Sequence, residues 1–296
     1  MRSLSKTYDG YEASLEIKGA VPEGYKKQFF DDSENAWKDI SQAKYTNVVD
    51  KNVNVRVINE SEQEVWSEIT TVKITPKPVT VTANKAEKLF GKEDPKFSAT
   101  VTGTLNDDKI QYTVTRPGAG TDEAVKLYKD ALVAAGDKIQ GNYQVTYVAG
   151  DFEIKTNTED LKLTAENGGG VYNAAPYYLN NVGATLNEEA LKEAKIEYKV
   201  GDGEWTTTAP SATNVSDSKE KISVRVTLEG YETQQIDNLK ITVTHKDVTV
   251  TANKAEKLFG KEDPKFSATV TGTLNNDEIK YTVTRPGAGT DEAVKL

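Results

Sequence analysis

A block of 52 residues occurs twice in this chain: residues 76–127 return as residues 245–296, 169 positions further on. Five aligned positions differ, which leaves 47 identical. A near-identical copy of this length belongs to a modular array, in which each unit packs on itself and its neighbours, and points away from one enzyme domain. A weaker echo has nearly the same spacing. Tyr8-Asp9-Gly10, Trp37, Thr46-Asn47-Val48 and the run Val53–Val57 recur as Tyr172-Asn173-Ala174, Trp205, Thr213-Asn214-Val215 and Ile222–Val226. The whole chain therefore reads as a two-module unit copied once, with modules at 1–76, 77–156, 157–245 and 246–296. The last module matches only 77–127, and the counterpart of 128–155 is expected in a longer biological chain.

Modules this small bury only ~60% of the surface their unfolded chains expose, so each has a thin core. No cysteine is present to reinforce those cores, and its absence decides nothing about compartment. Net charge is −9, and no run of Lys or Arg forms a stripe that could track phosphates, so nucleic acid and anionic membrane are poor partners. No apolar stretch is long enough to insert in a membrane, and the residues after Met1 lack the apolar core of a signal peptide.

Between Gly, Pro, Asn and Asp punctuation lie short alternating runs rich in Val, Thr, Tyr and Ile. Val53–Val57, Val79–Thr82, Tyr112–Thr115, Tyr143–Tyr147 and Ile222–Val226 all predict strands with one buried face. The differences between the copies agree. Asp107, Lys109 and Gln111 change to Asn276, Glu278 and Lys280, while Ile110, Tyr112 and Val114 keep their identity. Changes at alternate residues place the variable side in solvent. The joint Thr75-Pro76-Lys77-Pro78 is held extended by its prolines, whereas the later joint, Thr244-His245-Lys246-Asp247, has lost both and should bend more readily.

The second module, from VTVTANKAEKLFGKEDPKFSATVTGTLN through YTVTRPGAG to QGNYQVTYVAGDFEI, resembles the MBG ("mostly β-grasp") repeat of bacterial surface proteins. The matching features are an opening strand, Phe90-Gly91, Asp94-Pro95, Gly141-Asn142-Tyr143 and a closing Phe152-Glu153-Ile154. The first module, beginning KTYDGYEASLEIKGAVPEGY, and the third are similar to the YDG-type and Ig-like modules that alternate with MBG repeats. The resemblance implies a mostly-β tandem array of small β-grasp-like and Ig-like modules, the last one incomplete, in an extracellular protein of the bacterial surface or cell wall. It carries over no catalytic residues. Around residues 121–135 two readings stand. Thr121-Asp122-Glu123-Ala124 through Ala135-Gly136 looks locally like a capped helix, whereas the resemblance implies a strand near Tyr128–Val133, the reading preferred here.

The chemistry of a site is hard to find. The single histidine, His245, sits in a joint and is replaced by Pro76 in the other copy; without Cys or further His there is neither a nucleophile–base arrangement nor a zinc ligand set. Asp31-Asp32-Ser33-Glu34, Glu93-Asp94 and Asn106-Asp107-Asp108 offer oxygens for calcium but lack its ligand spacing, and read as solvated turns. Gly168-Gly169-Gly170 has no following Lys-Ser/Thr and reads as a flexible turn before Val171; Arg116-Pro117-Gly118-Ala119-Gly120 reads as a turn after a strand. Lys and Asn are too numerous to nominate a pair for an isopeptide cross-link.

Trp37 and Trp205 are the candidate ligand-binding residues, each following a polar turn (DDSENAW and GDGEW). Exposed, they would stack on a sugar or anchor a host protein; buried, they are core or capping aromatics. The expectation is a non-catalytic stalk segment with no cofactor or metal, monomeric within its longer chain, that projects a functional head from the wall. Two competitors stand beside it: a glycan-, mucin- or host-protein-binding module, and an accessory region of a secreted multidomain enzyme.

Overall fold

The computed structural model describes residues 3–121, 123–289 and 293. It falls into two compact units, Met1–Thr156 and Asn157–Leu296. Among the described residues, regular structure is strand apart from 3₁₀ turns at Ile40–Gln42 and Val215–Asp217.

The first unit opens with β1 (Leu4–Thr7), β2 (Ala13–Ser14), β3 (Lys26–Asp31), β4 (Ala36–Asp39), β5 (Lys44–Tyr45), β6 (Val49–Ile58) and β7 (Glu64–Thr75). They form a five-stranded sheet in the order β1-β7-β6-β3-β4, with β2 and β5 paired alongside. The chain enters parallel to β7 and every other pairing in this sheet is antiparallel. Alternation in β6 places Val53, Val55 and Val57 in the core, as their period-2 spacing predicts.

There follow β8 (Lys77–Ala83), β9 (Ala86–Leu89), β10 (Ala99–Thr102), β11 (Thr113–Thr115), β12 (Lys126–Ala135), β13 (Ile139–Gln140), β14 (Tyr143–Val148) and β15 (Gly150–Lys155). These make two four-stranded sheets, β10-β8-β14-β13 and β11-β12-β15-β9. Val79, Val81, Tyr143 and Val145 from one and Leu132, Ala134, Phe152 and Ile154 from the other share one core. The ambiguous stretch is thus a strand, β12, whose pairing with β15 overrides its alanine-rich helical propensity. Asp122, part of the alternative helix cap, lies outside the described residues. Ile110 is buried, Tyr112 and Val114 are half-buried, and Asp107, Lys109 and Gln111 are exposed, so the substituted side is indeed the wet one.

The Pro76–Pro78 joint is more than two stiff residues. Tyr8, just past β1, and Ile74 of β7 belong to the same buried cluster as Val79 and Phe152. The rings of Tyr8 and Tyr143 meet edge to face at 5.7 Å. Asn142 clasps the joint with three of its polar groups: its Oδ1 accepts the Val48 N–H (2.9 Å), its Nδ2 donates to Asn47 Oδ1 (3.0 Å), and its carbonyl accepts the Lys77 N–H (2.9 Å). The two halves of the first unit therefore share a core.

In the second unit β16 (Leu161–Glu166), β17 (Gly168–Val171), β18 (Asn180–Leu186), β19 (Glu189–Ala190), β20 (Lys195–Val200), β21 (Lys219–Thr227) and β22 (Gln234–Thr244) build two sheets, β16-β18-β19 and β17-β22-β21-β20. The repeat copy adds β23 (Thr249–Ala252) and β24 (Ala268–Thr271), paired in the register of β8 and β10.

One expectation is overturned here. Gly168-Gly169-Gly170 is not a flexible turn but most of β17, an edge strand parallel to β22. The glycines are needed for close approach. A Cβ on Gly168 would lie 1.7 Å from the Tyr178 carbonyl oxygen, and one on Gly169, at φ +121°, only 2.0 Å from that of Thr242. Both obstacles are backbone and cannot swing aside. Gly169→Ala should therefore destabilise the second unit by about 1–3 kcal/mol. Thermal unfolding followed through Trp205 tests this, and an unchanged midpoint would contradict it.

Candidate functional site

Both candidate tryptophans are half-buried, and both lie under an arginine. Trp37 stands in β4 opposite Phe30 of β3, with ring centroids 5.4 Å apart. The Arg56 guanidinium from β6 sits 4.0 Å above the indole and donates through Nε to Gln28 Oε1 (2.9 Å). Trp205 follows the turn after β20. Arg225 from β21 lies 4.2 Å over its ring and donates through Nε to Glu197 Oε2 (2.8 Å), while Lys199 approaches the ring at 5.4 Å. Gln28↔Arg56 and Glu197↔Arg225 are cross-strand partners, so the strand register places each arginine over its indole. Lys195 and Arg225 hold the Glu197 carboxyl below the ordinary carboxylate range.

One π-face of each indole is thus occupied by a cation that is itself fixed, a contact worth about 0.5–1 kcal/mol at such sites. A sugar stacking on that face would have to displace the guanidinium. Trp66, in β7, has no arginine of this kind. It is more exposed, and it lines a shallow groove with Val21, Pro22, Tyr25 and Val65.

A charged cluster appears that sequence reading had divided between a turn and a calcium candidate. Arg116, at 8% exposure, forks onto Asp94 through Nε (2.7 Å) and Nη2 (2.8 Å). The same Nη2 reaches Glu123 Oε1 at 2.6 Å. Lys88 closes the ring onto Asp94 (2.9 Å) and Glu123. The guanidinium rests 4.5 Å above the ring of Phe152, so the cluster caps the core. Arg116 and Lys88 hold Asp94 below its usual range. Burial pushes Glu123 upward, but Lys88, the Gly120 N–H and Arg116 outweigh it and leave its pKa at about 2. In the repeat copy Arg285 forks onto Asp263 at 3.0 and 2.9 Å, with Lys257 at 2.9 Å from the same carboxylate. The identity of Asp94-Pro95 and Arg116-Pro117 in both copies was the available clue, but it names no contact.

Asp31 and Asp108, also weighed for calcium, have protein partners. Asp31 accepts from the Ser33 N–H and hydroxyl and pairs with Lys38, and Asp108 accepts from the Tyr143 hydroxyl at 2.5 Å. Among the described residues there is no group of three or more His, Cys, Asp or Glu arranged to hold a metal ion. His245 is exposed in its joint. These geometries fasten strands and loops.

Residues 79–153 and 248–291 match the model of the MBG domain, YGX type. The chain carries MBG modules. Their matched stretches run from β8 to β15 and over most of the repeat copy, and leave 1–78, 154–247 and 292–296 outside the match. The Gly141-Asn142-Tyr143 turn of the first MBG module is the one that clasps the joint. No curated protein matches the chain. Among solved structures, a crystal structure of Drosophila N-cadherin EC1-3 aligns at 12% identity, covering 83% of this chain and 99% of that one, with a TM-score of 0.28. Sidekick-1 immunoglobulin domains 1–5 align at 11% identity over 86% of this chain and 59% of that one, with a TM-score of 0.21. A Bacteroides ovatus protein, SGBP-B of a mixed-linkage glucan utilization locus, in complex with a mixed-linkage heptasaccharide, aligns at 11% identity over 88% and 71%, with a TM-score of 0.20. Scores this low carry no argument.

Proposed function

We propose that this chain is a non-catalytic structural segment of a large bacterial surface protein, a stalk that holds a functional head away from the cell wall. The modules are read as 1–76 and 157–245, of YDG-type or Ig-like character, and 77–156 and 246–296, of MBG character. The observation that carries the reading is the shared core across Pro76–Pro78, where Tyr8 packs on Tyr143 and Asn142 bonds to Asn47 and Val48. A stalk must transmit load without hinging between modules, and a buried, hydrogen-bonded joint resists bending far better than a solvated linker. Near-identical duplication, with its few changes on the wet side and in the joint, suits a spacer, whose job is length. Arginines over Trp37 and Trp205 count against sugar stacking as the main role, since one face of each indole is already taken.

Two measurements on the full chain test this. Pulled from its ends, the first unit should open in one event that releases both its halves, a gain of roughly 50 nm at the reach of an extended residue. Two events of about half that length would sink the load-bearing reading. Trp37 and Trp205, each followed in variants lacking the other tryptophans through Trp→Phe, should keep their acrylamide quenching when mucin glycans are added. Protection of both indoles by glycan would transfer the function to a binding module.

A further inference from the structure

Parallel pairing is confined to particular strands. In the first unit β1 runs parallel to β7 (Leu4↔Val72 to Thr7↔Thr75), β8 to β14 (Lys77↔Tyr143 to Thr82↔Val148) and β9 to β15 (Ala86↔Phe152 to Leu89↔Lys155). Among the described residues every other strand pairing in that unit is antiparallel. In the second unit β17 runs parallel to β22, as the counterpart of β1 with β7.

Tension along the chain gives these pairs a common property. The chain enters β1 at Leu4 and leaves β7 at Thr75, at opposite ends of that pair. It enters β8 at Lys77 and leaves β14 at Val148, again at opposite ends. β9 is held at Ala86 by its link to β8, while β15 leaves the unit from Lys155. A pull along the chain therefore slides each pair lengthwise, and all the hydrogen bonds of a ladder carry load together. In an antiparallel hairpin the two outer ends lie side by side, so the same pull opens the rungs one after another.

The ends of these ladders are fastened as well. The Tyr8 N–H donates to the Thr75 carbonyl (2.9 Å), the Lys77 N–H to that of Asn142 (2.9 Å) and the Phe90 N–H to that of Lys155 (2.8 Å). Lys85 with Glu153 and Lys155 with Glu87, both at 2.6 Å, tie the β9 segment to β15. Phe152 and Ile154 of β15 are fully buried, so sliding β15 out would also drag its apolar side chains from the core.

We propose that the three parallel pairs of the first unit form a shear lock, which resists tension along the chain far more strongly than tension across it, and that β17 with β22 repeats the device. The inference rests on the stalk reading and adds a direction to it. A core shared across the joint resists bending whichever way force is applied, whereas the lock engages only when the chain is drawn out from its two ends.

The chain has no cysteine, so thiol handles can be placed in pairs on the full chain. Ser3→Cys with Thr156→Cys draws the first unit out along the chain. Glu93→Cys with Thr156→Cys pulls β9 and β15 from the same end, because Glu93 follows β9, Thr156 follows β15 and both are exposed. Agreement of the two urea midpoints removes stability as a cause of any difference. At one pulling speed the first pair of handles should need about twice the force of the second, or more, since forced unfolding reports the barrier on the pulled path. Lys92→Cys replaces Glu93→Cys should that variant fold poorly. Equal forces, or a higher force with the second pair, would overturn the lock. The number of rupture events in the first geometry judges the stalk reading separately. Two events with a large force ratio would keep the lock and sink the shared joint; one event with equal forces would do the reverse.

Discussion

Arg116→Met is expected to cost the first unit about 3–5 kcal/mol, the range for removing one partner from a buried ion cluster. Methionine keeps much of the arginine stem's packing over Phe152, so the loss reports the charge. Without the guanidinium, Asp94 and Glu123 share Lys88, Glu123 keeps the Gly120 N–H, and both carboxylates remain partly shielded from water. Replacing the whole cluster with apolar side chains would be a different experiment, and often a mild one. Urea unfolding followed through Trp37 and Trp66, in a Trp205→Phe background, gives the value. A loss below about 1 kcal/mol would mean that the cluster behaves as a solvated surface pair.

The same cluster sets an acid limb. Glu123 has a folded pKa of about 2, well below the 4.5 of an ordinary glutamate, and Asp94 is likewise depressed. Groups depressed by folding stabilise the protein above their unfolded pKa. That contribution is complete above about pH 4.5 and is lost as pH falls towards 2. In Arg116→Met the slope of stability over this window should flatten. An unchanged slope would assign acid sensitivity to other carboxylates.

Phe152→Ala should be as severe, about 3–5 kcal/mol. The side chain is fully buried, meets Phe97 edge to face at 5.8 Å, and lies beneath Arg116. Its wider use is as a probe of coupling. Phe152 belongs to the MBG module, whereas Trp37 and Trp66 report from the five-stranded sheet before the joint. Because Tyr8 and Ile74 share the Phe152 core, both tryptophan signals should move to lower urea with it. Trp signals that stay at the wild-type midpoint would show that the halves unfold separately. Trp205, measured alone, should not move in either case.

The strand runs around Val53, Val79, Tyr143 and Ile222 were legible because burial on one face imposes a period of two, and the copy was legible as letters. Sequence could not say what closes each edge. Ala86–Leu89 is a strand in the first MBG copy, while the identical residues 255–258 form none, since strand formation there depends on pairing with β15. Phe90 is half-buried and its twin Phe259 is 73% exposed for the same reason. The charged cap was hidden because Asp94 comes from the β9–β10 loop and Arg116 and Glu123 from the β11–β12 loop, with no fixed spacing rule between them. The three glycines misled because they signal either freedom or crowding, and only the neighbouring backbone of Tyr178 and Thr242 decides between them.

The clasp at Asn142 also determines where such a gene can be cut and rejoined. A crossover at Thr156 inherits Tyr8, Asn47, Asn142 and Tyr143 together, and hands on a folded pair. A crossover at Pro76 parts them, leaving a buried tyrosine and an asparagine facing whatever the new neighbour offers. Lengthening or shortening the protein by whole pairs is therefore nearly free of structural cost, whereas a gain or loss of one module is not. The 169-residue offset between the two copies is a step of the permitted kind.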